Sequence, residues 1–187
     1  MFCAPCVFPS PSLWQYRHTM TDIKKTLEER IAFFDAHPEK AQVVKTTTAR
    51  IVNGLACEVE SDDWRFTVDM PKGMGGGQSA PDPGVFGRGT LASCLAIGYG
   101  IWFARMDIPV EAIEVEVAAD TDGRGILGSV EGLPPGNSRF SYRVKITSEA
   151  PEAAIREAVE RADSLSPWLY NFSHPFQIER DIAIIRK

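Results

Sequence analysis

Histidine is scarce in this chain: only His18, His37 and His174 occur. Any catalytic triad must take its base from these three, and no spacing of His, Cys, Asp and Glu resembles a metal site. Cysteine is sparse as well, with Cys3, Cys6, Cys57 and Cys94 irregularly placed in 187 residues. A chain of that length can build its own core, which argues against a secreted disulfide scaffold. Cys3-Ala-Pro-Cys6 matches C-x-x-C but lacks the second pair or following βα pattern of a zinc or redox motif. Positive charge is not in excess. The net charge of −5 argues against a nucleic-acid surface or an anionic membrane as partner. The longest apolar run, residues 89–104, would span about 24 Å as a helix, short of the roughly 20 residues of a membrane crossing. Two further motifs are missing. Gly75-Gly76-Gly77 has neither the Lys-Ser/Thr of a phosphate-binding loop nor a G-x-G-x-x-G frame. Ser166 lacks the G-x-S-x-G context of a hydrolytic nucleophile. No cofactor and no metal is expected.

The ordinary balance of 44% hydrophobic and 24% charged residues fits one globular domain. Residues 1–20, with Pro5, Pro9 and Pro11 and unperiodic aromatics, are expected to be a disordered extension. They lack the basic leading region and continuous apolar core of a signal peptide. Met20-Thr21-Asp22 resembles a translation start, and a cytoplasmic location is expected. Residues 21–42 then supply an N-terminal helix and linker, and residues 43–187 the main domain.

Thr21-Asp22 can cap a helix over residues 23–36, with Ile23, Leu27, Ile31 and Phe34 near one stripe. Three strands follow: 42–52, then 55–60, then 64–70. Asn53-Gly54 marks the first hairpin and Asp62-Asp63 the next turn. One face of this meander is apolar, and Cys57 lies on it as a core residue. A long glycine- and proline-rich loop leads into residues 89–104, read as a helix buried on all sides. Gly98 and Gly100 within it imply close approach of another backbone. Cys94 sits at its middle and is the first candidate for chemistry.

Beyond it, Ile113, Val115 and Val117 alternate with Glu114 and Glu116, and Phe140, Tyr142, Val144 and Ile146 with Arg143 and Lys145. Those opposite charges suit two neighbouring strands. A second amphipathic helix begins around Ser148–Pro151, carries Ala154, Ile155, Ala158, Val159, Ala162 and Leu165, and stops at Ser166-Pro167. A last strand is expected over 176–184, with Arg180 in the apolar phase marking a bulge. Antiparallel strand groups with inserted helices make an α+β fold. Trp102, Phe103 and Trp168 are core aromatics or the lining of an apolar cavity, and His174 is a turn residue.

Met74-Gly-Gly-Gly, Pro81-Asp-Pro83 and Thr90-Leu-Ala-Ser-Cys94-Leu-Ala together resemble the entry loop and helix of OsmC-like proteins. That superfamily includes the organic hydroperoxide resistance (Ohr) proteins. The resemblance continues through Ile108-Pro-Val-Glu-Ala-Ile-Glu-Val-Glu-Val and Leu165-Ser166-Pro167, covering roughly residues 43–185. It implies an intertwined homodimer in which antiparallel sheets wrap around two central helices. It also implies a peroxide stress-response protein that reduces organic hydroperoxides with thiols. Cys94 matches the peroxidatic cysteine. Ser166 stands where the resolving cysteine would precede Pro167, and it cannot form the disulfide. Gly84 stands where the Ohr branch has a glutamate, and Asn53 where an arginine is expected. Arg50 and Arg88 are the candidate cations beside the thiolate. The implied activity is thus a one-cysteine hydroperoxide reductase resolved by an external thiol. The alternative is a non-catalytic dimer that binds a small apolar ligand or partner.

Overall fold

The computed structural model describes residues 13–186. Cys3, Cys6 and the first prolines lie outside the described residues. Helix α1, Leu13–Ala36, begins within the stretch expected to be an extension. Between Pro11 and Thr21 there is neither glycine nor proline, so no breaker stops the helix from running back past Thr21-Asp22. Met20 packs on the core, and Lys24 forms an ion pair with Asp107.

The meander forms as β1 (Thr48–Asn53), β2 (Ala56–Ser61) and β3 (Trp64–Val68), all antiparallel. Gly54 takes a positive φ in the Asn53-Gly54 turn. Ladder β1–β2 starts only at Thr48↔Glu60, and β2 turns away after Ser61. Residues 42–47 therefore have no strand to pair with, and β1 is shorter than its Val/Thr pattern suggested. Ile51, Cys57 and Val68 fall on one face through the pairs Ile51↔Cys57 and Cys57↔Val68, as do Val59 and Phe66. That apolar face is partly uncovered: Trp64 is 75% exposed, and Ile51 is exposed too. Cys57 is only half-buried, not core.

The chain then turns through a loop organised by one buried carboxylate. Asp69 accepts hydrogen bonds from the backbone N–H of Met70 (2.8 Å), Gly77 (3.1 Å) and Ser79 (2.9 Å), and from the Ser79 hydroxyl (2.8 Å). The loop amides thus point inward at Asp69, which leaves no phosphate cradle. Gly76 is required sterically, because a Cβ there would lie 2.0 Å from the Met70 carbonyl oxygen.

Helix α2 spans Pro83–Arg105, earlier than the expected start at residue 89. Asp82 caps it by accepting from the Val85 N–H at 3.0 Å, and Pro83 occupies the first turn. This cap outweighs the loop preference of Gly84, Gly87 and Gly89. The helix buries one face rather than all of it. Leu91, Leu95, Tyr99 and Phe103, each four apart, are fully buried, whereas Ile97 is 64% exposed. A Cβ added at Gly98 would meet the Ala162 Cβ at 4.0 Å, an ordinary contact, and one at Gly100 would meet nothing within 4 Å, so neither glycine is required by close backbone approach.

Strands β4 (Ala112–Thr121) and β5 (Asn137–Thr147) pair antiparallel with Glu114↔Lys145 and Glu116↔Arg143 in register. A one-turn helix α3, Gly123–Ile126, interrupts the connection. Helix α4, Glu152–Ser164, follows Pro151 and carries Ala158 and Ala162 into the core, although Leu165 beyond it stays exposed. Ser166-Pro167 stops α4 and also starts a helix missed from the sequence, α5, Pro167–Ser173. The core is the α2 stripe with Ile108, Val110, Ala158 and Ala162, covered by Val115 and Val117 of β4, Phe140 and Val144 of β5, and Leu169 of α5. Residues 174–186 run without a strand or its bulge, and Ile178 and Ile184 are 82% and 80% exposed. Alternation alone makes no strand when no ladder neighbour is present. Among the described residues no helix is long and apolar enough to cross a membrane.

The Asp69 loop gives a direct test. Gly76→Ala should cost about 2 kcal/mol or more in urea unfolding, since backbone must move. Gly73→Ala, facing open space, should stay within about 0.5 kcal/mol. Hydrogen bonds, led by those from Ser79, hold the Asp69 carboxyl below the usual aspartate value. Its contribution is therefore complete above about pH 4 and disappears as pH falls through its own lower value. Asp69→Asn should lower stability at neutral pH and flatten this acid limb.

Candidate functional site

The apolar stripe that buries one side of α2 leaves the other side facing a pocket. Thr90, Ser93, Cys94, Ile97, Gly98 and Ile101 face it from α2, with Trp102 one turn beyond Gly98. The opposite wall is Ala162 at the end of α4, Leu165 and Ser166 in the joint, and Pro167 and Trp168 of α5. The pocket has a volume of about 610 Å³. No charged side chain lines it among the described residues. Trp102 and Trp168 both line it, as one of their two expected roles. The guanidinium of Arg105 lies over the Trp102 ring, 4.3 Å from its centre.

Cys94 is half-buried, and its Sγ lies 3.5 Å from Ser166 Oγ. Ser166 itself is only 5% exposed. It caps α5, its Oγ accepting from the Leu169 N–H at 3.3 Å. The other pocket hydroxyls point elsewhere. Thr90 donates to the Phe86 carbonyl at 2.8 Å and Ser93 to the Gly89 carbonyl at 2.7 Å. The two residues expected from sequence, Cys94 and Ser166, are therefore brought together across the pocket.

The expected cations are not. Arg50 sits on β1 opposite Glu58, outside the pocket. Arg88 lies on α2 about 9 Å upstream of Cys94 and on a different face. Its guanidinium lies back beside Gly84, with Nη1 3.3 Å from where a Cβ would sit. Neither reaches the Cys94 sulfur. Cys57, whose Sγ lies 3.7 Å from the Glu58 carbonyl, is also outside the pocket. His174 ends α5, stacks on Tyr170 with ring centroids 4.2 Å apart, and directs Nδ1 to the Tyr170 carbonyl. It is committed to that helix end.

One feature behind the pocket had no sequence signal. Tyr99, fully buried on α2, donates to Asp163 Oδ1 at 2.7 Å, and Tyr142 of β5 donates to Oδ2 at 3.0 Å. This clamp ties α4 to α2 and β5 just before the Ser166 joint. Burial, then the Asp163 hydrogen bond, pushes the Tyr142 hydroxyl up to about 12 and raises that of Tyr99 further.

A model of the family described as OsmC-like protein matches residues 75–180. No curated protein matches the chain. Solved structures do. An OsmC-like protein from Mycoplasma pneumoniae is 16% identical with a TM-score of 0.60, over 71% of this chain and 89% of that one. An organic hydroperoxide resistance protein OsmC from Legionella pneumophila is 17% identical with a TM-score of 0.51, over 68% and 87%. A protein from Aquifex aeolicus is 12% identical with a TM-score of 0.56, over 71% and 89%. At these identities the shared property is the fold, mixed helices with antiparallel sheets.

The clamp predicts alkaline behaviour. Both tyrosines titrate above their ordinary value of about 10, so their contribution is complete below that pH and is lost as pH rises through the folded values. Tyr99→Phe should cost about 2 kcal/mol by removing a buried hydrogen bond to a charged acceptor. Spectrophotometric titration of Asp163→Asn should move Tyr142 back toward an ordinary phenol.

Proposed function

The chain belongs to the OsmC-like family, and on that premise we propose that it is a thiol-dependent hydroperoxide reductase working through Cys94 alone. The observation that carries this reading is the Cys94 thiol facing an apolar pocket, with a serine rather than a second cysteine 3.5 Å away. The solved relative from Legionella pneumophila is an organic hydroperoxide resistance protein, which supports this activity class.

The cycle balances with an external thiol. The Cys94 thiolate attacks the terminal peroxide oxygen of ROOH; an S–O bond forms, the O–O bond breaks and ROH leaves with a proton. Sulfur is oxidised by two electrons to the sulfenic acid. Ser166 cannot condense with it. A first R′SH forms a mixed disulfide and releases water, and a second restores the Cys94 thiol and leaves R′SSR′. A thiol pool of that kind fits a cytoplasmic location.

The working unit in this reading is an intertwined homodimer, with α2 and its symmetry mate as the two central helices. Two observations support it: the partly uncovered apolar face of the β1–β3 sheet and the exposed isoleucines of segment 176–185. Each has the character of a surface that another chain covers. Nucleic acid and membrane play no part in this reading. The uncharged pocket lining favours a second reading, a non-catalytic dimer that holds a small apolar ligand or partner between Trp102 and Trp168.

Two measurements decide. The first is peptide mass spectrometry after a brief, near-stoichiometric pulse of cumene hydroperoxide with a sulfenic-acid trap. It should show rapid labelling confined to Cys94 and absent in Cys94→Ser. An inert Cys94 in folded protein removes the reductase and leaves the binding dimer. The second is sedimentation, where the full chain should run as a dimer and a chain lacking residues 176–187 should show at least tenfold weaker association.

A further inference from the structure

We propose that the Ser166 hydroxyl is a catalytic donor to the Cys94 thiolate, taking the place that a cation or second thiol would otherwise fill. This inference deepens the reductase reading and rests on it for its biological meaning. The chemistry can be followed proton by proton. Ser166 Oγ receives the Leu169 N–H at 3.3 Å, which occupies a lone pair and fixes the hydroxyl as part of the α5 cap. Its own hydrogen remains, and Cys94 Sγ lies at 3.5 Å. Thr90 and Ser93, the other hydroxyls of the pocket, give their hydrogens to backbone carbonyls of α2. Ser166 is thus the hydroxyl of the pocket whose hydrogen is left for the sulfur. A hydrogen bond donated to the charged form of an acid favours ionisation, and more so where water is excluded.

Within one chain the charged groups around the pocket do not compete for this role. From α4, Asp163 is held by Tyr99 and Tyr142. From α2, Arg105 lies over Trp102, and Arg88 lies beside Gly84. From α5, Pro167 and Trp168 are the residues that reach the pocket, and neither is charged. A neutral donor lowers the thiol's proton affinity while leaving the lining free of charge, so the pocket keeps its affinity for an apolar ligand. Ser166 backbone groups are satisfied independently, its N–H by Asp163 and its carbonyl by Tyr170. The hydroxyl can therefore be removed without orphaning them.

The test is the pH profile of Cys94 alkylation by iodoacetamide, read by peptide mass spectrometry so that Cys3, Cys6 and Cys57 are counted separately. Ser166→Ala should displace the profile toward higher pH, read as about tenfold slower labelling at neutral pH. Ser166→Thr, which keeps a hydroxyl, should restore the wild-type profile. Ser166→Gly preserves most of the capping preference and equally lacks the hydroxyl. It should shift like Ala, and it serves if Ala does not fold. An unmoved profile in either folded variant, or a Thr profile that follows Ala, overturns the proposal. Alkylation needs no peroxide, so the two readings fail separately. A shifted profile with Cys94 inert to hydroperoxide removes the reductase and keeps the Ser166 donor. An unmoved profile with rapid peroxide oxidation does the reverse.

Discussion

The arrangement depends on the burial of one face of α2. Leu91, Leu95, Tyr99 and Phe103 stack at intervals of four, so they form a single stripe along the helix. Once that stripe faces β4, β5, α1 and α4, the rotation of the helix is fixed. Cys94 is then obliged to point elsewhere, toward the joint between α4 and α5. Sequence position alone would not keep that joint in place. The Asp163 clamp does, because its carboxylate is held by hydroxyls from α2 and β5 at once. Ser166 follows three residues later, and the short distance between its Oγ and the Cys94 sulfur is a consequence of where α4 is anchored.

The parts legible from sequence were those with a local cause. Asn53-Gly54 announced its hairpin, and the alternation of glutamates against Arg143 and Lys145 announced the β4–β5 register. Cys94 and Ser166 were marked by their motif context, and the structure joins them across 72 positions. The start of α2 was misread because three glycines spoke for a loop while one residue, Asp82, spoke for a cap. At Ser166-Pro167 a single dipeptide carried two signals, and only the stop was heard. The Asp163 clamp has no local signature, since its three residues come from three elements. Within one chain Arg50 and Arg88 lie away from the Cys94 sulfur, because counting along the sequence does not say which face of a strand or helix a side chain leaves from.

The segment 176–184 shows a different limit. Its alternation of Phe176, Ile178, Ile182 and Ile184 has the pattern of a strand, but a strand is a property of two backbones. Among the described residues nothing pairs with this segment, and its side chains stand exposed. The same holds for part of the apolar face of β1–β3, where Ile51 and Trp64 stand exposed while Phe66 stacks on Phe86 of α2. Local pattern marked these residues as apolar. It could not identify what buries them. The proposed dimer would account for both surfaces at once, because a second copy of this chain could supply the missing backbone and the missing apolar cover.

The pocket poses the remaining chemical question, because its two properties pull against each other. An apolar wall built from Ile97, Ile101, Trp102, Leu165 and Trp168 holds organic ligands and disfavours a bare thiolate. A lysine or arginine at the wall would favour the thiolate and would spoil the apolar surface. A buried hydroxyl is the compromise available to a small site: it donates one hydrogen bond, carries no charge and needs little volume. It also forbids the disulfide that a cysteine at residue 166 would make. In the proposed cycle, the residue that leaves resolution to an external thiol is also the one whose hydroxyl lies within reach of the Cys94 sulfur.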